Sequence, residues 1–196
     1  MAKNAYVTVV YPKAIPISRG AKSCFLLGPI RNAPPWHEDA IDILARLVRE
    51  DKKKLRLHIN SPKRIEDMER AFDEDPPPTA MLRTCTRQRE WEFETQEIAA
   101  RSAGLLFWLP EHGVIKYPGK AYGAFTQTEI GYWLCRASLD KTLRIAFGTD
   151  GKYNGELHTV LYDIERLAPH LLPMHTSLES LCAQSVAWAK QSALPR

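Results

Sequence analysis

In Ser23-Cys24-Phe25-Leu26-Leu27-Gly28-Pro29, a short apolar run ends at a glycine and a proline. Such a run is typical of a buried strand in a parallel sheet, which is covered on both faces. An amphipathic helix is predicted directly afterwards, because apolar residues recur at helical spacing at Trp36, Ala40, Ile43, Leu44 and Leu47. A buried strand followed by such a helix is the first half of a βαβ unit.

The same alternation of strand and helix continues along the chain. Strands are predicted at residues 6–11, 55–59, 105–109 and 142–147, and helices at about 87–102 and 124–136 and in two segments that start near residues 157 and 177. Strands separated by helices of this length form a parallel sheet with helices on both faces. We therefore predict one α/β domain over residues 1–196, with a Rossmann- or flavodoxin-like sheet. Ligands of such folds bind beyond the carboxyl ends of the strands, in the loops 28–36 and 110–123 and after Phe147.

The composition, with 44% hydrophobic and 26% charged residues, is that of a globular protein, and no apolar run has the length of a membrane-spanning helix. The net charge of +4 is uneven, since residues 1–37 carry +5 and the rest sum to −1. This slightly acidic body argues against binding of polymeric nucleic acid. The four cysteines and six histidines lack metal-ligand spacing, and no phosphate loop follows any strand. We expect a cytoplasmic protein with reduced thiols, no metal and no cofactor.

Glu129 is the candidate catalytic residue. It lies in the predicted helix with Phe125 and Trp133 four residues away on either side and Tyr132 three residues on, so it projects from a largely aromatic face. Poor solvation raises the pKa of a carboxyl group, and a weakly hydrated carboxylate is suited to nucleophilic attack. The alternative is structural: Glu129 pairs with Arg136 or caps a neighbouring element.

Three tryptophans and a second glutamate near the ends of predicted elements are further candidates for contact with a ligand. Trp36, Trp91 and Trp108 are candidate platforms for a planar ring, and Glu92 follows Trp91 near the start of a predicted helix. The structural alternatives are that the tryptophans belong to the core and that Glu92 interacts with the helix dipole. The pattern by itself favours these alternatives.

Taken together, three segments resemble the nucleoside 2-deoxyribosyltransferase-like family. They are FLLGPI at 25–30 with APPW at 33–36, the pair Trp91-Glu92 with AGLLFWLP at 103–110, and TQTEIGYW at 126–133. The resemblance covers roughly residues 22–150 and leaves residues 1–21 as an N-terminal strand or arm. It implies an enzyme that cleaves the N-glycosidic bond of a nucleoside or nucleotide, with transfer of the sugar to a second base or to water.

The resemblance also implies roles for individual residues. Glu129 attacks the anomeric carbon and forms a glycosyl-enzyme, as in retaining glycosidases. A proton reaches the leaving base from Glu92, Glu111 or Tyr122. Gly28 lets the sugar approach the backbone closely, and the three tryptophans enclose the base. The substrate-binding set is Gly28, Ile30, Asn32, Trp36, Trp91, Glu92, Trp108, Pro110 and Gln127.

The chain departs from the family in three places. Gly104 and Gly123 stand near positions where typical transferases have aspartates, and Gln127 stands where relatives often have a basic residue. Loss of base-binding carboxylates favours hydrolysis or an altered substrate. The family commonly forms homo-oligomers, so we expect one here. The alternatives are a non-catalytic nucleotide-binding module on the same fold and an interaction protein that uses the acid-free arm at residues 1–20.

Overall fold

The computed structural model describes residues 6–10, 21–51, 55–62, 78–115 and 121–191, and of residues 78–85 only the backbone. Five strands form one parallel sheet: β1 (Val7–Val10), β2 (Lys22–Leu27), β3 (Leu57–Asn60), β4 (Gly104–Leu109) and β5 (Ile145–Thr149). Their order across the sheet is β1-β3-β2-β4-β5. The predicted α/β fold with a Rossmann-like parallel sheet is confirmed.

Within the described ranges, five helices connect and cover these strands. They are α1 (Trp36–Glu50), α2 (Pro78–Ala100), α3 (Ala124–Leu139), α4 (Leu157–Leu167) and α5 (Leu178–Lys190), with a 3-10 turn at Pro169–Leu171. The predicted helix at 87–102 therefore begins earlier, at Pro78. The strand predicted from residue 142 starts at Ile145, because Asp140 accepts hydrogen bonds from the backbone and hydroxyl of Thr142 and forms a turn there.

Two hydrophobic clusters lie on opposite faces of the sheet, because successive strand side chains alternate. Phe25 and Leu27 contribute to the cluster covered by α2, α3 and α4. Cys24 and Leu26 contribute to the cluster covered by α1 and α5. Both faces are therefore buried, which explains why β2 reads as a continuous apolar run instead of an alternating one.

The carboxyl ends of the central strands lie at the edge of the sheet where open α/β folds form a ligand crevice. β2 and β4 are neighbours, but the chain leaves β2 towards α1 on one face and leaves β4 towards α3 on the other. This reversal is the topological switch point at which open α/β sheets bind ligands. The loops that follow the two strands touch there, where the backbone N–H of Gly113 donates to the carbonyl of Asn32 at 2.6 Å.

None of the helices in the described part of the chain is long and apolar enough to cross a membrane. Residues 1–5 and 11–20 lie outside the described ranges, and with them most of the arm for which an interaction role was considered. The predicted strand near residues 6–11 is confirmed as β1, which pairs with β3 at the edge of the sheet.

Candidate active site

Helix α3 places Glu129 beside the α2 helix. The buried stripe of α3, formed by Thr126, Ile130, Trp133, Leu134 and Ala137, packs towards the sheet. Glu129 lies next to this stripe, and its side chain keeps only 13% of its surface exposed. The carboxyl group thus enters the space between two helices instead of projecting into water.

Two side chains of α2 hold one oxygen of Glu129. Arg89 Nη1 donates to Glu129 Oε1 at 3.0 Å, and Gln96 Nε2 donates to the same oxygen at 3.3 Å. Trp133 Nε1 donates to Gln96 Oε1 at 2.8 Å, which fixes the amide so that its nitrogen faces the carboxylate. No residue in the described ranges donates a hydrogen bond to the second oxygen, Oε2.

Burial raises the pKa of Glu129, and the hydrogen bond and charge of Arg89 lower it in part. The neighbouring carboxylate of Glu92 raises it further. The predicted direction of the pKa shift is therefore confirmed, but its source differs from the prediction. Phe125 is 83% exposed and does not cover the carboxyl group, which is desolvated by its position against α2.

Arg136 does not pair with Glu129, so this structural alternative is wrong. Arg136 forms a salt bridge with Glu97 through both guanidinium nitrogens and also donates to the Tyr132 hydroxyl at 2.8 Å. Arg136 therefore cross-links α2 and α3 further along the helices. In the described part of the chain, the cation that forms a salt bridge with Glu129 is Arg89.

Glu92 belongs to the same cluster and is slightly more buried than Glu129, with 11% of its side chain exposed. Its Oε2 accepts from Arg89 Nη1 at 2.9 Å, and its Oε1 accepts from Gln88 Nε2 at 2.8 Å. Glu92, one of the three candidate proton donors, therefore shares the donor Arg89 with Glu129. Both of its oxygens are already occupied by donors.

The three tryptophans do not lie on one ligand. Trp91 packs on the α2 face of the sheet, with its ring centroid 5.7 Å from that of Phe25. Trp36 and Trp108 belong to the cluster on the opposite face. The prediction that all three enclose one base is wrong, because Trp91 lies on α2 over one face of the sheet, whereas Trp36 on α1 and Trp108 on β4 belong to the opposite face.

Trp36 and Gly28 form a tight junction at the end of β2. Trp36 is buried at the start of α1, and its indole N–H donates to the carbonyl of Pro29 at 2.7 Å. A Cβ at Gly28 would lie 2.2 Å from the carbonyl oxygen of Trp108 and 2.8 Å from the Trp36 ring. Glycine is required here by the protein's own packing, whereas the sequence reading assigned it to the approach of a sugar.

Of the remaining predicted substrate-binding residues, Ile30, Asn32 and Pro110 lie in the loops after β2 and β4, and Gln127 lies in the first turn of α3. Ile30 is half-buried, and Asn32 is buried with a left-handed φ of 60°. Pro110 follows β4, and its carbonyl accepts from the Tyr122 hydroxyl at 3.0 Å. Gln127 Nε2 donates to the carbonyl of Gly155 at 2.7 Å, so this side chain joins α3 to the loop after β5 and does not contact Glu129.

The two other candidate proton donors belong to this loop region. Tyr122 also donates to the carbonyl of Glu111 at 3.1 Å, and burial raises the pKa of its phenol. The Glu111 carboxylate is exposed and lies 3.4 Å from the Lys152 ammonium group. Of the three candidates, only Glu92 shares a hydrogen-bond donor with Glu129.

The two glycines that depart from the family have different surroundings. Gly104 begins β4, at the edge of the sheet opposite to the crevice, and a Cβ there would lie 2.4 Å from the Trp188 ring. Gly104 therefore lies at the end of β4 opposite to the loop in which ligands of such folds bind. Gly123 precedes α3 at the crevice with a φ of 68°, and a Cβ there would lie 2.4 Å from the Tyr153 hydroxyl.

Sequence reasoning missed Arg89 and Gln96. Gln88, Glu92 and Gln96 recur every four residues, which is the spacing of one helix face, and Arg89 precedes Glu92 by three. These four polar residues on one face of a helix that also carries buried side chains were the pattern that could have pointed to Arg89 and Gln96. It could not be paired with Glu129, because nothing in the local sequence shows that α2 and α3 are neighbours.

No protein-family model, curated protein or solved structure matches the chain significantly. The resemblance to the nucleoside 2-deoxyribosyltransferase-like family therefore stays a prediction based on the segments quoted above.

Proposed function

We propose that the protein is an enzyme that cleaves the N-glycosidic bond of a nucleoside or nucleotide, with Glu129 as the nucleophile. One observation carries the proposal: a largely buried carboxylate is held through one oxygen by Arg89 and Gln96, while the other oxygen has no donor in the described part of the chain. This arrangement suits attack on an electrophilic carbon, because the group is fixed, weakly hydrated and still free at one atom.

The reaction balances in two steps. Glu129 Oε2 forms a bond to the anomeric carbon as the carbon–nitrogen bond breaks, and the bonding electrons leave with the base, which takes up a proton from water. In the second step the anomeric carbon gains the oxygen of water or the nitrogen of another base. The carboxylate is then released, and the proton of the incoming group passes to solvent.

Weak hydration of Glu129 also favours its attack on carbon. A carboxylate in water must shed its solvation shell before it attacks carbon, whereas Glu129 has already lost most of its shell on folding. Arg89 lowers the pKa of Glu129 and so offsets part of the effect of this burial on the charged form. The site thus combines low hydration with one compensating cation.

The test is chromatography of a panel of nucleosides and 5′-monophosphates after incubation with the full chain, with and without a second free base. Release of base alone identifies a hydrolase, and a new nucleoside identifies a transferase. Glu129→Gln is expected to abolish turnover and to keep substrate binding. Glu94→Gln, an exposed change on α2, is the matched control and should keep full activity.

Two outcomes contradict the proposal. Unchanged turnover in Glu129→Gln removes this residue from the chemistry. Binding of a nucleotide without any turnover across the panel favours the alternative, a non-catalytic nucleotide-binding module on the same fold. The homo-oligomer and the cytoplasmic location stay predictions, of which sedimentation of the purified chain tests the first.

A further inference from the structure

We propose that Glu92 anchors Arg89, and that Arg89, held in this way, is the positioning residue of Glu129. Glu92 is therefore not the group that protonates the leaving base. The inference rests on the function proposed above and assigns separate roles to the charged residues around the nucleophile.

The surroundings of Glu92 make it an acceptor. Gln88 and Arg89 each donate to a different oxygen of its carboxyl group, at 2.8 and 2.9 Å, and 11% of the side chain is exposed. A general acid must present a proton to the substrate. Here each oxygen already faces a donor, so neither is directed to a leaving group.

Arg89 is held by two residues of its own helix in addition to its contact with Glu129. Its Nη1 contacts Glu92 three residues further along α2, and its guanidinium carbon lies 4.5 Å from the ring centroid of Phe93, four residues along. The same Nη1 then donates to Glu129 across the helix interface at 3.0 Å. One nitrogen thus joins the nucleophile to a fixed counter-charge.

This arrangement has a consequence for the two-step reaction. When Glu129 Oε2 bonds to the anomeric carbon, its carboxylate becomes a neutral ester and loses much of its attraction for Arg89. The contact with Glu92 keeps Arg89 in place during that interval. The cation is therefore already positioned when the second step returns the negative charge to Glu129.

The charge balance fits this division of roles. In the described ranges, the charged groups that act on Glu129 are Arg89 and Glu92, and Gln96 is a neutral donor. Both carboxylates depend on one cation. Removal of the cation leaves two like charges close together, whereas removal of Glu92 leaves Arg89 paired with the nucleophile but less firmly held.

The experiment is a double-mutant cycle with Arg89→Met, Glu92→Gln and the combined variant, in the full chain. Arg87→Met is the control, since Arg87 is an exposed arginine of the same helix. Turnover of a nucleoside identified by the panel is measured across pH, together with KM. A second measurement follows the Glu129 carboxyl by 13C NMR, with Glu129→Gln to assign the signal, and needs no turnover.

Arg89→Met is expected to lower kcat roughly 10- to 100-fold, the usual effect of losing a hydrogen bond to a charged group. Glu92→Gln is expected to lower it less, and the combined variant should be no slower than Arg89→Met alone. The titration midpoint of Glu129 should rise in Arg89→Met and stay unchanged in Arg87→Met. Circular dichroism verifies that each variant is folded.

The remaining outcomes separate the two proposals. An inactive wild-type chain refutes the proposed function, whereas a titration midpoint that does not move in Arg89→Met refutes the positioning role. Additive losses in the cycle, together with loss of the alkaline limb of the pH profile in Glu92→Gln, would identify Glu92 as the proton donor and overturn the inference.

Discussion

Replacement of Gly28 by alanine tests whether this glycine serves packing or substrate access. The new Cβ would lie 2.2 Å from the backbone oxygen of Trp108 and 2.8 Å from the ring of Trp36. The first of these atoms belongs to a central strand and cannot move without disturbing the sheet. The φ of +154° at Gly28 adds backbone strain, since side chains with a Cβ rarely adopt it.

The expected cost combines both effects. Overpacking costs about 1–3 kcal/mol and a positive φ costs about 1–2 kcal/mol, so Gly28→Ala should lose roughly 3 kcal/mol of unfolding free energy. In a chain of this length that loss lowers Tm by about 6–12 °C. Two other glycines separate the contributions, because a Cβ at Gly151 or Gly131 meets nothing within 4 Å.

These controls differ in backbone conformation. Gly151 has a φ of +81°, so Gly151→Ala carries only the backbone strain and should cost about 1–2 kcal/mol. Gly131 lies inside α3, where alanine is favoured, so Gly131→Ala should stabilise the protein by about 0.5–1 kcal/mol.

Urea unfolding followed by circular dichroism measures all three variants. If Gly28→Ala is as stable as Gly151→Ala, the clash of the new Cβ with Trp108 and Trp36 has no cost, and Gly28 is not required for packing. Unchanged stability of Gly28→Ala with loss of nucleoside turnover would restore the sequence reading, in which glycine admits the sugar.

Three further predictions concern charge and reactivity. Burial raises the pKa of Glu129 above that of the unfolded chain, so its stabilising contribution is present at low pH and is lost as the pH rises through the folded pKa. Glu129→Gln should therefore gain stability relative to the wild type as the pH rises above about 4, the pKa of an unperturbed Glu, and a difference in urea midpoint that is constant with pH would contradict this. Arg144→Ala should lose about 3 kcal/mol in the same assay, because the buried guanidinium donates to two backbone carbonyls that would lose their partner, and a loss near zero would contradict it. In a Cys85→Ser background, a thiol reagent at about pH 8 should modify exposed Cys135 in the native protein, whereas Cys24, whose pKa burial raises to about 12, should react only after unfolding.

Much of the fold could be predicted from local patterns. The apolar runs at β2 and β4 and the helical stripe that begins at Trp36 each reflect burial of one element, and burial of one element is visible in its own residues. The ends of elements were less predictable. The helix predicted to start near residue 177 begins at Leu178, and Ser177 caps it by accepting a hydrogen bond from the backbone N–H of Ser180, whereas α2 begins nine residues before its predicted start.

The candidate site could be predicted only in part. Glu129 and Glu92 were identified, and they share Arg89 as a donor. The third residue was missed because it lies 40 positions from Glu129 in the chain. An arginine among charged neighbours on a helix gives no sign of which residue on another helix it contacts.

The same limit explains the error with the tryptophans. Trp91 and Trp108 each stand close to a strand or helix end, and the sequence presents them as equivalent platforms. Trp91 lies on the face of the sheet that α2 covers. Trp108 lies on the opposite face, because successive side chains of β4 alternate between the two faces. A shift of one residue in a strand moves a side chain to the opposite face.

The amino-acid sequence thus determined the class of fold and singled out Glu129 as the candidate carboxylate, because hydrophobic periodicity and residue type are local properties. The tertiary structure established that Arg89 and Gln96 hold Glu129 through one oxygen, that Glu92 is an acceptor, and that Gly28 is required by a carbonyl group. These features are contacts between segments distant in sequence, and they exist only once the sheet has brought its helices together.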